Sequence, residues 1–225
     1  MENLNTYLTN SSLSASGVRV QLYFRNLESH LIWHIERADV VVGCVAWLTS
    51  PRILAALAKK SGVSIIVQKE DWLRPDLGDR GNWKLSQKHR YARLPSRLTR
   101  FDEGLSGTGL SDLSYCSDPT IDAVRCVGNH NSMRLPAFPR MHHKFIVFCQ
   151  NVQSITGHPN YEPYEVWTGS FNFTKNGAFS LENAVVLRHK TLAKAFFSEY
   201  AQIAALSEPL NWDSEWMEPQ WRVGS

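Results

Sequence analysis

One stretch constrains the 225-residue chain more than any other: the unbroken apolar run Val40-Val41-Val42-Gly43-Cys44-Val45-Ala46-Trp47, opened by Asp39. A strand with one wet face alternates apolar and polar residues, whereas a continuous β-branched run needs cover on both faces. The run to Leu48 is about half the length a bilayer span requires, so it predicts an interior strand rather than a membrane segment. Its neighbours agree. Val18–Phe24 reads as a strand, and Asn26–Ala38 carries Leu27, Leu31, Ile32 and Ile35 at helical spacing. Ser50-Pro51 supplies an N-cap followed by a first-turn proline, starting a helix that ends near Lys60. Val63–Val67 is a third strand. Strand–helix–strand–helix–strand order predicts an α/β fold, with a mixed, largely parallel β-sheet sandwiched between helices.

The rest of the chain continues without a clear linker, and a single domain over residues 1–225 is expected. Residues 72–120 hold a basic segment, helical from Lys84 to Arg93, and then a long loop rich in glycine and serine from Asp102 to Thr120. Strand-like runs follow at Thr120–Val127, Met141–Cys149, Glu165–Phe173 and Glu182–Arg188, with Gln150–Pro163 read as a surface loop. A helix over Thr191–Leu206 would use Leu192, Phe196, Tyr200 and Ile203 as its inner face, ahead of an acidic tail from Ser207.

Composition excludes several classes. With 43% hydrophobic and 20% charged residues the chain is neither disordered nor fibrous. The start, Met1-Glu2-Asn3-Leu4-Asn5, has no basic or apolar leader region. Cys44, Cys116, Cys126 and Cys149 form no CxxC pair, and Cys116, Cys126 and His130 match no zinc spacing. Free thiols, a cytoplasmic location and no membrane anchor are therefore expected. Net charge is only +3, but it is unevenly spread. Between Trp72 and Arg100 stand Arg74, Arg80, Lys84, Lys88, Arg90, Arg93, Arg97 and Arg100 against Asp76 and Asp79 alone, a local charge of +6. Such a patch either faces solvent or binds a polyanion, and these eight residues are the candidate substrate-binding cations. Trp72 and Trp83 lie among them and could stack on bases.

The chemistry gathers further along. Side chains alternate along Met141-His142-His143-Lys144-Phe145, so His142 and Lys144 share a face and His143 takes the other. In Gly169-Ser170-Phe171-Asn172, Ser170 and Asn172 share a face, while Gly169 permits close backbone approach. Glu182 opens a further strand-like run. A base or nucleophile, a carboxylate to orient it, and cationic and amide donors suit attack on a phosphodiester.

The ordered pair His142-x-Lys144 and Gly169-Ser170-x-Asn172, followed by Glu182-Asn183, resembles the HxK(x)4D…GSxN…E motif of the phospholipase D superfamily. The motif's aspartate position is Cys149, which alternation turns away from His142, and the chain holds one HxK where the superfamily's enzymes use two. The resemblance therefore implies half an enzyme that pairs as a homodimer. It implies that His142 attacks phosphorus while its counterpart protonates the leaving oxygen, that Lys144 and Asn172 hold non-bridging oxygens, and that Glu182 orients His142. Ser170 would brace phosphate or histidine, and no metal or other cofactor is required. The implied activity is a metal-independent nuclease acting on DNA or RNA, similar to single-motif members of bacterial restriction and defence modules. A cardiolipin-type phospholipid hydrolase and a catalytically silent nucleic-acid-binding module are the alternatives.

Overall fold

The computed structural model describes residues 15–69, 82–96, 113–114, 122–128, 140–153, 159–210 and 212. In chain order the elements are β1 (Arg19–Tyr23), α1 (Leu27–Arg37), β2 (Val40–Val45), α2 (Pro51–Leu57), β3 (Gly62–Gln68), α3 (Trp83–Ala92), β4 (Leu113–Ser114), β5 (Val124–Val127), β6 (Lys144–Gln153), β7 (Pro159–Gly169), α4 (Lys175–Phe179), β8 (Ala184–Arg188), α5 (Lys190–Ala205) and β9 (Glu208–Pro209). Among the described residues, nine strands form one sheet in the order β1-β8-β7-β6-β2-β3-β5-β9, with β4 pairing β7 off that path.

β2 is buried along its whole length, as its composition requires. Val41 and Val45 join the core beneath α1, α2 and α3, while Val40, Val42 and Cys44 join a second core beneath α5. Helices thus cover both faces. The start of α2 follows from local chemistry: the Ser50 hydroxyl accepts from the Ile53 amide at 3.3 Å, and Pro51 occupies a first-turn position that has no hydrogen bond to lose.

Three expectations need correction. The sheet is mostly antiparallel: only the β2–β3 and β3–β5 pairs are parallel. β1 crosses to the far edge to pair with β8, β6 inserts antiparallel beside β2, and β7 and β8 continue outward from β6 as antiparallel neighbours. Most of Gln150–Pro163 is paired strand, not surface loop, with Gln150 opposite Glu162 and Asn151 opposite Tyr161. A register shift between Phe148 and Cys149 accommodates Pro163, which has no amide to give the ladder. Finally, α5 keeps Tyr200 and Ile203 of the expected inner face, but Ala193 and Phe197 take the buried places expected of Leu192 and Phe196, with Phe196 partly buried beside them. Ala193, Phe197, Tyr200, Ala201 and Ala204 point inward with Ile203, the alanines letting the helix lie close to the sheet. No helix among the described residues is long and apolar enough to cross a membrane.

Candidate active site

Strand registers bring the motif residues to one end of the sheet. Val45 at the end of β2 pairs with Lys144 at the start of β6, Phe145 pairs with Thr168 near the end of β7, and Gly169 pairs with Ala184 at the start of β8. His142 lies just before β6 in extended chain, and its position is set by flanking backbone bonds. The Gln68 side-chain oxygen accepts from the Met141 amide at 2.6 Å, and the His143 carbonyl accepts from the Ala46 amide at 2.9 Å.

The expected alternation holds across this segment. Lys144 Nζ stands 3.2 Å from His142 Nε2 and 3.3 Å from Nδ1, and donates to the His142 carbonyl at 2.9 Å. The Trp47 ring meets the imidazole edge-on, with centroids 6.5 Å apart. His143 turns to the α5 face, where its Nε2 lies 3.5 Å from Glu199 and its ring contacts Phe145. Cys149 is also on the α5 side, fully buried, so the motif's aspartate position faces away from His142.

Desolvation holds the His142 pKa below the ordinary histidine value, with Lys144, Arg140 and His143 adding like-charge repulsion. This favours the neutral ring, the form that can attack. Desolvation also lowers the Lys144 pKa, an effect that Glu182 opposes and Arg140 reinforces. Among the described residues no hydrogen bond joins Glu182 to His142; its influence at the site falls on Lys144.

Ser170 and Asn172 lie beyond β7, in irregular chain rather than in the strand their spacing predicts. Gly169 turns the chain with φ 155°, and a Cβ there would overlap the Asn183 carbonyl. Ser170 then holds Asn183 with two bonds: its amide donates to the Asn183 carbonyl at 3.2 Å, and its hydroxyl accepts from the Asn183 amide at 3.1 Å. The serine thereby braces the segment that carries Glu182. Asn172 Oδ1 is buried with no hydrogen-bond partner, a costly state for a polar atom unless a ligand completes it.

Of the candidate substrate-binding cations, Lys84, Lys88, Arg90 and Arg93 lie on or at the end of α3. Arg74, Arg80, Arg97 and Arg100 lie outside the described residues, as do Trp72 and nearly all of the predicted loop from 102 to 120. The α3 helix is tied to the site end of the sheet. Gln87 Nε2 and Tyr91 Oη both donate to the Leu48 carbonyl, at 3.0 and 2.6 Å, and Leu48 bridges to Phe173, the neighbour of Asn172. At 100° per residue, Lys84 and Lys88 flank one side of that anchored stripe, Arg90 the other, and Arg93 points away. Among the described residues no group of His, Cys, Asp or Glu side chains is gathered to hold a metal ion. Sequence reasoning missed Trp47, Gln68 and Arg140; the signal for Gln68 was a polar residue directly after the apolar run Val63–Val67.

Comparison with known proteins bears on this architecture. NucT from Helicobacter pylori superposes with a TM-score of 0.53 at 14% identity, over 85% of this chain and 99% of that one. The fold is therefore phospholipase D-like, as expected from the sequence. Nuc from Salmonella typhimurium, a phospholipase D family member, matches at a TM-score of 0.48 and 18% identity over 85% of this chain and 97% of its own. A scan against protein-family models finds no match. In sequence, the chain is 33% identical over 218 residues to the uncharacterized protein L381 of Acanthamoeba polyphaga mimivirus, a match spanning 91% of this chain and 71% of the relative. The chain belongs to the family of that protein.

Proposed function

We propose that the chain is a metal-independent phosphodiesterase, a nuclease that cleaves DNA or RNA through a phosphohistidine formed on His142. The observation that carries this reading is the pairing of His142 with Lys144 at the strand ends where Asn172 keeps a buried, unpartnered amide oxygen. Neutral His142 attacks phosphorus in line, forming the N–P bond as the P–O bond to the leaving strand breaks. The leaving oxygen takes its proton from the His142 of a second copy. That second histidine then removes a proton from water, which displaces His142 from phosphorus. Lys144 neutralises charge on the non-bridging oxygens, and Asn172 donates to one of them, its amide ends being exchangeable by a 180° flip.

A second copy is required because each chain offers one HxK. An apolar surface beside the site fits that need: Phe179 and Leu181 are 83 and 87% exposed, and Leu181 directly precedes Glu182. The α3 cations favour a nucleic-acid substrate over a lipid, since Lys84 and Lys88 hang from a helix anchored next to Asn172.

The deciding experiment incubates the purified protein with labelled DNA, RNA and phospholipid in EDTA. Cleavage of a nucleic acid, abolished by His142→Asn but only moderated by His143→Asn, is the expected result. Activity lost on chelation and restored by Mg²⁺ would overturn the mechanism, and cleavage of phospholipid alone would overturn the substrate. Lys84→Ala with Lys88→Ala should flatten the salt dependence of binding, each lost phosphate contact contributing about 0.9 to the log–log slope on duplex or about 0.7 on a single strand.

A further inference from the structure

A second set of cations lies away from the His142 end. Between α1 and strands β1, β8, β7 and β6 opens a cleft of ≈ 670 Å³, whose lining includes Arg19, Arg37, Arg188, Trp33, Tyr164 and Glu165. Glu165 lies four residues before Gly169 and Arg188 four after Ala184, which puts the cleft ~13 Å along the strands from the motif residues.

Three features make the cleft an anion site rather than a solvated surface. The first is a conflict: Arg19 and Arg188 are direct cross-strand partners in the β1–β8 ladder, and like charges so placed repel unless something neutralises them. The second is preorganisation. Arg37 lies over the Trp33 ring at 4.6 Å and Arg188 over the Tyr164 ring at 5.5 Å, so both guanidiniums are held in place by aromatic faces beside the cleft. The third is that the one carboxylate among the described lining residues is already engaged. Glu165 is buried, its Oε1 takes a 2.6 Å bond from His34 Nδ1, and its Oε2 stands 3.9 Å from Arg188 Nε. Tyr23 Oη fixes the far side of that histidine at 3.2 Å from Nε2. Among the described lining residues, three guanidiniums against one committed carboxylate leave a net demand for negative charge.

Planar guanidinium forks match phosphate oxygens, and the volume falls in the range of small-molecule sites, ~300–1,000 Å³, well above what bare phosphate fills. We infer that this cleft is a second anion site that takes the phosphate of a nucleotide, with Arg19, Arg37 and Arg188 on the phosphate and the Trp33 and Tyr164 rings beside the nucleoside. The nucleotide is either free or part of a strand. The inference does not rest on the chemistry of His142.

The test measures equilibrium binding by calorimetry to the full chain carrying His142→Asn, which removes turnover from the reading. The probes are inorganic phosphate, 5′-AMP and a single-stranded decanucleotide. Arg19→Gln with Arg37→Gln should weaken 5′-AMP at least about tenfold, the loss expected for charge-assisted hydrogen bonds, and should weaken phosphate less. If 5′-AMP does not bind but the double variant weakens the decanucleotide about tenfold, the phosphate comes from a strand. The same arginine changes with His142 intact should leave hydrolysis of a small nitrophenyl phosphodiester unaltered. Unchanged binding of every probe overturns the inference, as does binding lost only with Lys84→Ala and Lys88→Ala. Should the double variant fail to fold, Arg19→Gln alone, an exposed residue on the edge strand β1, carries the test with a loss of about threefold.

Discussion

At the scale of single residues, the site is shaped by cations around one imidazole. Arg140 helps hold the His142 pKa down, so removing it lets the ring keep its proton to higher pH. If neutral His142 is the nucleophile, Arg140→Ala should shift the acid limb of single-turnover cleavage to higher pH, as removal of a like charge requires. An unmoved limb would remove Arg140 from the electrostatics of the site. Cys149 makes the opposite point. Burial pushes its thiol pKa up, and it packs under α5 with Val147 and Tyr200 rather than near Lys144. Writing the superfamily's aspartate back as Cys149→Asp should therefore cost ~3 kcal/mol or more in urea unfolding and bring no gain in turnover. An acidic group is already close by: Asp39, beside Val40 in the register, accepts from the Asn151 amide at 2.7 Å.

At the scale of elements, Gln87 and Tyr91 of α3 share one acceptor, the Leu48 carbonyl. Tyr91 is buried and its hydroxyl is the shorter of the two donors, so Tyr91→Phe should destabilise by ~1 kcal/mol by chemical denaturation. It should also weaken nucleic-acid binding, because the helix carries Lys84 and Lys88. Equal stability with unchanged binding would show that Gln87 alone suffices. Local pattern made much of this legible. Period-2 alternation placed His142 with Lys144 and opposed His143, even though the segment ends just outside β6, because the chain stays extended there. Ser50-Pro51 marked the start of α2 for the same local reason. What local pattern could not carry was strand direction. Whether β6 runs with or against β2 depends on pairing between segments far apart in the chain, and apolar runs look alike in both senses. Gln150–Pro163 misled because its polar residues pair with each other at the outer end of a hairpin. Asn172 and Glu182 were singled out by the motif, but their placement in irregular chain around Gly169 depends on backbone bonds that no spacing encodes.

At the scale of the whole molecule, the proposed pairing of two chains, each with one HxK, predicts a stoichiometry. Mixing His142→Ala chains with wild type in equal amounts, with exchange of partners allowed, should leave about a quarter of the activity, since random pairing puts two intact histidines in about one dimer in four. Half the activity remaining would indicate that each chain works alone. Phe179→Ser with Leu181→Ser should lower activity and shift light scattering toward single chains, if that surface receives the second copy. The cysteines lead to a different kind of measurement. Cys44 on β2 and Cys149 on β6 sit mid-sheet and Cys126 on β5 lies beside the short outer strand β9; all three are free and fully buried, and the Cys126 thiol is pushed up to about 12. A buried, protonated thiol does not react with an alkylating agent until its strand opens. With Cys116 replaced by serine, the order in which the three are alkylated becomes a clock for how the sheet peels apart. Cys126 should be modified first and Cys44 and Cys149 together, on the timescale of global unfolding.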